Sequence, residues 1–374
     1  MVYLDNSSTT FPKPECVYQA LDAANRTLAF NAGRGIYDSA DKAQSVIDET
    51  RQLVASFSGD ESNTVVFTSS ATDALNQIIY GLDLHEGDTV FVSPFEHNAV
   101  LRVLHLLEKR KQIKVGVIPF DSEWNLDENL FINLLATCNP KATFVSLVSN
   151  VTGYLLPYGK IFEIAKRFGC VNTLDASQGY GVLKINERQN TDYVVFDGHK
   201  TLYSSFGIGG FVCMHKNRLN VVKAGGTGSD SLNLDMPSGV EGFEPGSHNV
   251  VAIAGLNASC KWLKSVSVED KERDLTRYLI DQLSTLKNVH LFIPKNIDLI
   301  FGTVSFAVDG YSSDDVGSIL SDEFDIAVRT GYHCAAFVHD YIGSTDYSGT
   351  IRVSLGYFNE KKDIDFLIDA LKTL

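Results

Sequence analysis

Short apolar runs recur between about residues 45 and 215, each bounded by polar or turn-forming residues. Val65-Val66-Phe67-Thr68 predicts a strand, and a helix begins near Ala71. Thr89-Val90-Phe91-Val92 predicts a strand, followed by a helix from Asn98 to Lys111. Lys114 to Ile118 reads as a strand, with a helix after Leu126-Asp127. Ala142 to Val148 is an apolar strand, 161–168 a helix, and strands at 171, 193 and 209 follow. Runs this short and this rich in β-branched and aromatic residues are buried strands, and the longer stretches between them are crossover helices. The class is α/β, with a mainly parallel, doubly wound sheet covered by helices on both faces.

After Gly225-Gly226-Thr227-Gly228 the rhythm changes. Helical spacing at roughly 249–264 and 269–286 leads into strands at 303–308 and 350–355 and a final helix from 360. That order is α+β and predicts a second, smaller domain. No internal repeat or low-complexity segment interrupts it.

Composition narrows the function. The 374 residues suit two domains, and 44% hydrophobic residues are enough for a substantial core. A net charge of −14 without a lysine- or arginine-rich run argues against a nucleic-acid partner and against an anionic membrane surface. No apolar run reaches the length of a membrane span, and Met1-Val2-Tyr3-Leu4-Asp5 does not read as a secretory signal. Cys16, Cys138, Cys170, Cys213, Cys260 and Cys334 form neither a disulfide framework nor a metal-ligand spacing. Reduced thiols and a cytoplasmic location are the expectation.

The chemistry sits at two strand ends. Tyr193-Val194-Val195-Phe196 runs into Asp197-Gly198-His199-Lys200, and Val171-Asn172-Thr173-Leu174 runs into Asp175-Ala176-Ser177-Gln178. Ligands of open α/β sheets bind at the carboxyl ends of strands. A lysine and an acid placed there suit pyridoxal 5'-phosphate (PLP), the amine engaging the aldehyde and the carboxylate the ring nitrogen. By themselves the two segments fit equally a surface lysine and a helix-capping aspartate.

In order and spacing, these segments resemble a fold-type I PLP enzyme of the class V aminotransferase group. The resemblance runs from Tyr3-Leu4-Asp5-Asn6 to the last helix. Arg329-Thr330-Gly331-Tyr332-His333-Cys334-Ala335 is similar to the segment bearing the nucleophilic cysteine of group-II cysteine desulfurases, in the cysteine desulfurase and selenocysteine lyase branch. The resemblance implies a large cofactor domain over 15–249, with 1–14 and 250–374 forming the small domain that carries the cysteine loop.

It also implies a site. Lys200 is the cofactor-bearing lysine, Asp175 the acid at the ring nitrogen, and Gln178 and Asn150 the partners of the ring hydroxyl. His97 stacks on the ring and moves protons. Ala71, Thr72 and His199 hold the phosphate, and Ser247 reaches the phosphate of a second subunit. Arg352, Arg34 and Asn150 take the substrate carboxylate, and Arg329 shapes the catalytic loop. Cys334, an accessible loop thiol beside a histidine, takes the sulfur. No metal is implied.

Three departures surround the cofactor: Asp197 stands where relatives have serine or threonine, Tyr203-Ser204-Ser205-Phe206-Gly207 replaces a Tyr-Gly-Pro segment, and Gly33 precedes Arg34 in place of histidine. A carboxylate cannot donate to a phosphate as a hydroxyl does, so Asp197 predicts weaker phosphate anchoring. The expected activity is release of sulfur from L-cysteine as a cysteine persulfide, with L-alanine as product, by a homodimer serving a protein sulfur acceptor. Selenocysteine lyase, another C–S or C–Se β-lyase, and a cofactor-free sulfur carrier or scaffold are the alternatives.

Overall fold

The computed structural model describes residues 1–33, 35–228 and 232–374. Its larger sheet has seven strands, in the order Thr64–Thr68, Gly209–Cys213, Tyr193–Asp197, Val171–Asp175, Pro140–Ser146, Thr89–Val92 and Lys114–Val117. Gly209–Cys213 runs antiparallel to both neighbours, and the remaining pairings are parallel. Only residues 198–208 join it to the preceding strand, and they contain no helix. A parallel return needs a crossover of about a dozen or more residues, so this short link turns the chain back on itself.

Successive strand residues point to opposite faces, which is why the runs are apolar throughout. Val66, Val90, Phe144, Val195 and Phe211 pack on one face with helices Ala71–Gly81 and Asn98–Lys111. Val65, Phe91, Val145, Val194 and Val212 pack on the other with helices Asp38–Phe57 and Tyr158–Lys166. Helix Val250–Leu263 packs on Glu15–Thr27 and Asp38–Phe57, and its Ile253, Leu256 and Cys260 join this second core.

A four-stranded antiparallel sheet follows, in the order Arg329–Gly331, Thr350–Ser354, Thr303–Val308, Val289–Leu291. Helices Val268–Leu283, Ser313–Phe324 and Lys361–Leu371 enclose its core with Leu275, Leu320 and Leu367. Strand Val2–Tyr3 pairs in parallel with Ile326–Ala327, and Leu4 enters the same core. The chain therefore begins in a separate two-stranded pairing that shares the small sheet's core, before crossing to the large sheet. Helix Glu15–Thr27 is not marked by the apolar pattern because only Val17 and Ala24 are buried on it. Among the described residues, no helix is long and apolar enough to cross a membrane.

One buried acid makes stability depend on pH. Tyr203 Oη donates to Glu272 Oε1 at 2.7 Å and accepts the Tyr357 amide at 2.6 Å. Burial pushes the Glu272 carboxyl from 4.5 up to about 8, against the pull of the Tyr203 hydrogen bond. Between those values the folded chain keeps a proton that the unfolded chain releases. The stabilisation is complete below 4.5 and is lost as pH rises through about 8. Glu272→Gln keeps an acceptor for Tyr203 and removes the titration. Its melting temperature is expected to fall less than the parent's between pH 5 and 9. Identical slopes in thermal melts would show that Glu272 does not hold this proton.

Candidate active site

Five strands of the large sheet end at one cleft. Ala71 and Thr72 follow Thr64–Thr68, His97 follows Thr89–Val92, and Asn150 follows Pro140–Ser146. Asp175 closes its own strand with Gln178 just beyond, and Asp197 and Lys200 follow in the same way. These eight side chains line the cleft together with Ser146 and Ser177.

The acids and the imidazole are held in defined states. Asp175 Oδ1 accepts the Ser177 amide at 3.0 Å and the Ser177 hydroxyl at 2.5 Å, which fixes the carboxylate at the cleft wall. Gln178 Nε2 donates to the Ser7 carbonyl at 2.8 Å. His97 caps helix Asn98–Lys111, its Nδ1 accepting the Ala99 amide at 3.0 Å. Burial, then the positive charges of Lys200, Arg329, Arg352 and Arg102, push its pKa down to about 3. The ring is therefore neutral at physiological pH, and its proton sits on Nε2.

Beneath it Glu96 is fully buried. It accepts the Ser93 hydroxyl at 2.5 Å and the Ser146 amide at 2.7 Å. Burial, with Asp175 nearby, pushes its carboxyl up to about 8.

At the other end of the cleft the helix Ala71–Gly81 presents its N-terminus, a natural seat for an anion. Gly209 lets the neighbouring strand lie against it, since a Cβ there would meet Ser70 C at 2.7 Å and Ala71 N at 2.8 Å. Asp197 Oδ2 lies 3.4 Å from the Ala71 amide and 3.5 Å from His199 Nε2. Burial works to raise the Asp197 carboxyl, but His199, Lys200 and the Ala71 amide outweigh it and hold it below the usual carboxylate range. The His199 ring stacks on Phe206 at 4.4 Å.

The cysteine loop reaches this cleft through its backbone. Asn98 N donates to the Cys334 carbonyl at 2.7 Å, and Asn150 Nδ2 donates to the His333 carbonyl at 2.8 Å. His333 and Cys334 have φ of +45° and +56°, a turn that leaves Cys334 exposed and buries the His333 ring. His333 Nε2 meets Thr350 Oγ1 at 2.8 Å.

The histidine beside the cysteine thus serves the small sheet, and the cation at the thiol is Arg329, with Nη2 3.5 Å from Sγ. Arg329 Nη1 donates to Ser8 Oγ at 2.9 Å, Arg352 Nη2 donates to the same oxygen at 2.8 Å, and Ser8 donates to Asp5 at 2.9 Å. Arg352 also donates to Asp5 Oδ1 at 2.6 Å and to the Asn150 carbonyl at 2.9 Å. A continuous polar chain therefore links the thiol to Asn150 in the cleft.

Not every expected residue lies in the cleft. Arg352 is 1% exposed and sits behind Asn150. Three of its five N–H groups have partners and Nε has none. Ser247 lines a separate groove with Thr68, Ser69, Lys223 and His248. Arg34 lies outside the described residues.

The site also contains residues that sequence patterns passed over: Asp5, Ser8, Glu96, Ser146 and Lys13. Lys13 Nζ donates to Thr10 Oγ1 at 2.7 Å and to the His199 carbonyl at 2.8 Å. Burial pushes its pKa down to about 7, with Asp197 acting in the other direction. The hydroxyl run Ser7-Ser8-Thr9-Thr10 after a short strand is the one signal in the sequence that could mark this segment.

The residues fit a pyridoxal phosphate at its ring end: an anchored buried carboxylate, a neutral imidazole and a lysine face one cleft. At the phosphate end they supply a helix N-terminus, with one carboxylate already on it.

Known proteins resemble this chain over its whole length. A probable cysteine desulfurase of Pyrococcus abyssi is 29% identical, over 100% of this chain and 94% of that protein. A probable cysteine desulfurase of Methanothermobacter thermautotrophicus is 28% identical, again over 100% and 94%. Among solved structures, the apo cysteine desulfurase of Thermococcus onnurineus superposes with a TM-score of 0.91 at 27% identity, covering 100% of this chain and 95% of that one. The cysteine desulfurase CsdA of Escherichia coli, in an S-sulfonic acid form, gives 0.87 at 26% identity, with 100% and 94% covered. Residues 2–367 match the family model described as aminotransferase class-V, and the chain belongs to that family.

Proposed function

We propose that this protein is a PLP-dependent cysteine desulfurase that takes sulfur from L-cysteine and releases L-alanine. The observation that carries the reading is the exposed Cys334 thiol held against Arg329 Nη2 and tied by hydrogen bonds to a lysine- and aspartate-lined cleft. A plain aminotransferase needs no such thiol. The similar proteins named above are cysteine desulfurases over nearly their full length.

The bound cofactor supplies an electron sink for the carbon that bears the amino group. Lys200 holds the cofactor and moves the proton at that carbon, and Asp175 keeps negative charge at the ring nitrogen. His97, neutral and with its proton on Nε2, covers the ring face and shuttles protons beside it. Gln178 and Asn150 orient the ring, and Ala71, Thr72 and His199 face its phosphate. Arg352, with Asn150 and Arg34, would take the substrate carboxylate, its planar fork suited to two parallel hydrogen bonds.

Cys334 then attacks the substrate sulfur. A sulfur–sulfur bond forms, the carbon–sulfur bond breaks, and the carbon takes a proton in place of sulfur. The products are alanine and a persulfide on Cys334. Arg329 sets a positive charge where that sulfur is negative.

The protein works as a cytoplasmic homodimer, in which Ser247 meets the second subunit's cofactor and a protein acceptor collects the sulfur. The fully exposed side chains of Leu232, Leu234 and Ile36 support a covered face of this kind. Purified protein is expected to be yellow, to change its spectrum on adding L-cysteine, and to form alanine and sulfide in equal amounts. Colourless protein that makes no alanine when supplied with PLP would overturn the reading.

A further inference from the structure

Asp197 occupies the donors that a phosphate would use. Its Oδ2 faces both the Ala71 amide at the helix N-terminus and His199 Nε2. Of the hydroxyls beside that helix start, Thr68 Oγ1 donates to the Ser70 carbonyl at 2.7 Å and is engaged, while Ser70 Oγ accepts the Asp73 amide at 3.2 Å and, like Thr72 in the cleft lining, keeps its own O–H to donate. The carboxylate cannot easily turn away. It ends a strand whose partner in register, Gly209, lies against the Ser70–Ala71 backbone. Its side chain is 7% exposed, and Oδ1 is buried without a partner.

The groups facing it, the His199 ring and the Lys200 amine, with Lys13 close by, are those that would otherwise receive an anion. Pairing with His199 does not relieve the conflict, because it consumes a phosphate donor. A phosphate monoester brings a charge of about −1.5 to −2 into this space.

We propose that Asp197 makes the anion end of this cleft a poor phosphate site, so that the protein draws little of its cofactor affinity from the phosphate. The inference rests on the cofactor reading above. It assigns Asp197 as the residue that sets discrimination between PLP and pyridoxal, the same aldehyde without phosphate. Lys200, Asp175 and His97 act on the part the two molecules share.

The test is titration of cofactor-stripped, full-length protein with PLP and with pyridoxal at one fixed pH, followed by absorbance. The parent is expected to prefer PLP by no more than about tenfold. Asp197→Ser restores a donor and removes a charge, and is expected to raise that preference by about tenfold to a hundredfold. The change is expected in PLP affinity alone, with pyridoxal affinity unchanged. Asp197→Asn, which removes the charge, is expected to fall between the two.

An unchanged preference in Asp197→Ser, or weaker PLP binding, would overturn the inference and show that Asp197 itself helps to hold the phosphate. Equal changes for both aldehydes would also overturn it, since the effect would then lie at the ring. Failure of both aldehydes to bind parent and variants alike would instead remove the cofactor reading.

Discussion

Lys200→Ala protein is expected to lose turnover with every amino-acid substrate, by at least about a thousandfold. Among the described residues Lys200 is the one lysine that lines the cleft itself, on the wall shared with Asp175 and His97. The nearby Lys13 amine is tied to Thr10 Oγ1 and the His199 carbonyl. In the proposed mechanism, removing Lys200 would take away both the group that holds the cofactor and the base at the substrate carbon. The fold is expected to persist. The backbone around residue 200 is held by Thr9, Thr10 and Lys13 through the His199 and Lys200 carbonyls, which the substitution leaves in place. Lys200→Arg keeps the charge but not the nucleophile, and is expected to be as inactive. Alanine release measured on both variants checks this, and ordinary turnover by either would remove Lys200 from the chemistry.

The second large effect belongs to Cys334. Cys334→Ala is expected to bind cofactor and L-cysteine as the parent does, yet to release sulfur at least about a hundredfold more slowly. The substitution adds no new backbone cost, because alanine and cysteine bear the same penalty at a φ of +56°. The loop stays docked through the Cys334 and His333 carbonyls, which accept from Asn98 and Asn150. Selenocysteine is expected to remain a substrate, because selenium leaves carbon more readily than sulfur and has less need of the thiol. Parallel assays with the two amino acids separate the outcomes. Full sulfur release by Cys334→Ala would point to direct β-elimination, with the thiol as a bystander.

Arg329 is the reason to expect the thiol to be reactive. The neighbouring histidine is the residue a sequence reader would choose, but the turn at 333–334 sends its ring to Thr350. The guanidinium arrives from the adjacent strand Arg329–Gly331, and Ser8 holds it in place from the opposite end of the chain.

Asp175 and Lys200 are legible in the sequence because each follows a continuous apolar run. Strands of this kind lie side by side and in parallel, so their carboxyl ends share one edge without further information. Ala71, His97 and Asn150 also follow apolar runs, but only the family resemblance singles them out. Short-range periodicity also marks most of the helices, but none is expected from it over Glu15–Thr27, Asp38–Phe57 or Ser313–Phe324; the first of these buries only Val17 and Ala24.

The reversed strand Gly209–Cys213, the neutral His97 ring and the buried acids Glu96 and Glu272 became visible only in the folded chain. So did the seat of Asp197 on the Ala71 amide and the chain from Cys334 through Arg329 and Ser8 to Arg352. The reason is physical. Periodicity reports which face of an element meets the core, a local property repeated every two or 3.6 residues. Hydrogen-bond partners, burial and charge states depend on groups far away along the chain, 321 positions between Ser8 and Arg329 and 126 between Ala71 and Asp197. The first gap closes only when the small domain brings the two ends of the chain together, and the second when Thr64–Thr68 and Tyr193–Asp197 flank Gly209–Cys213 in the large sheet.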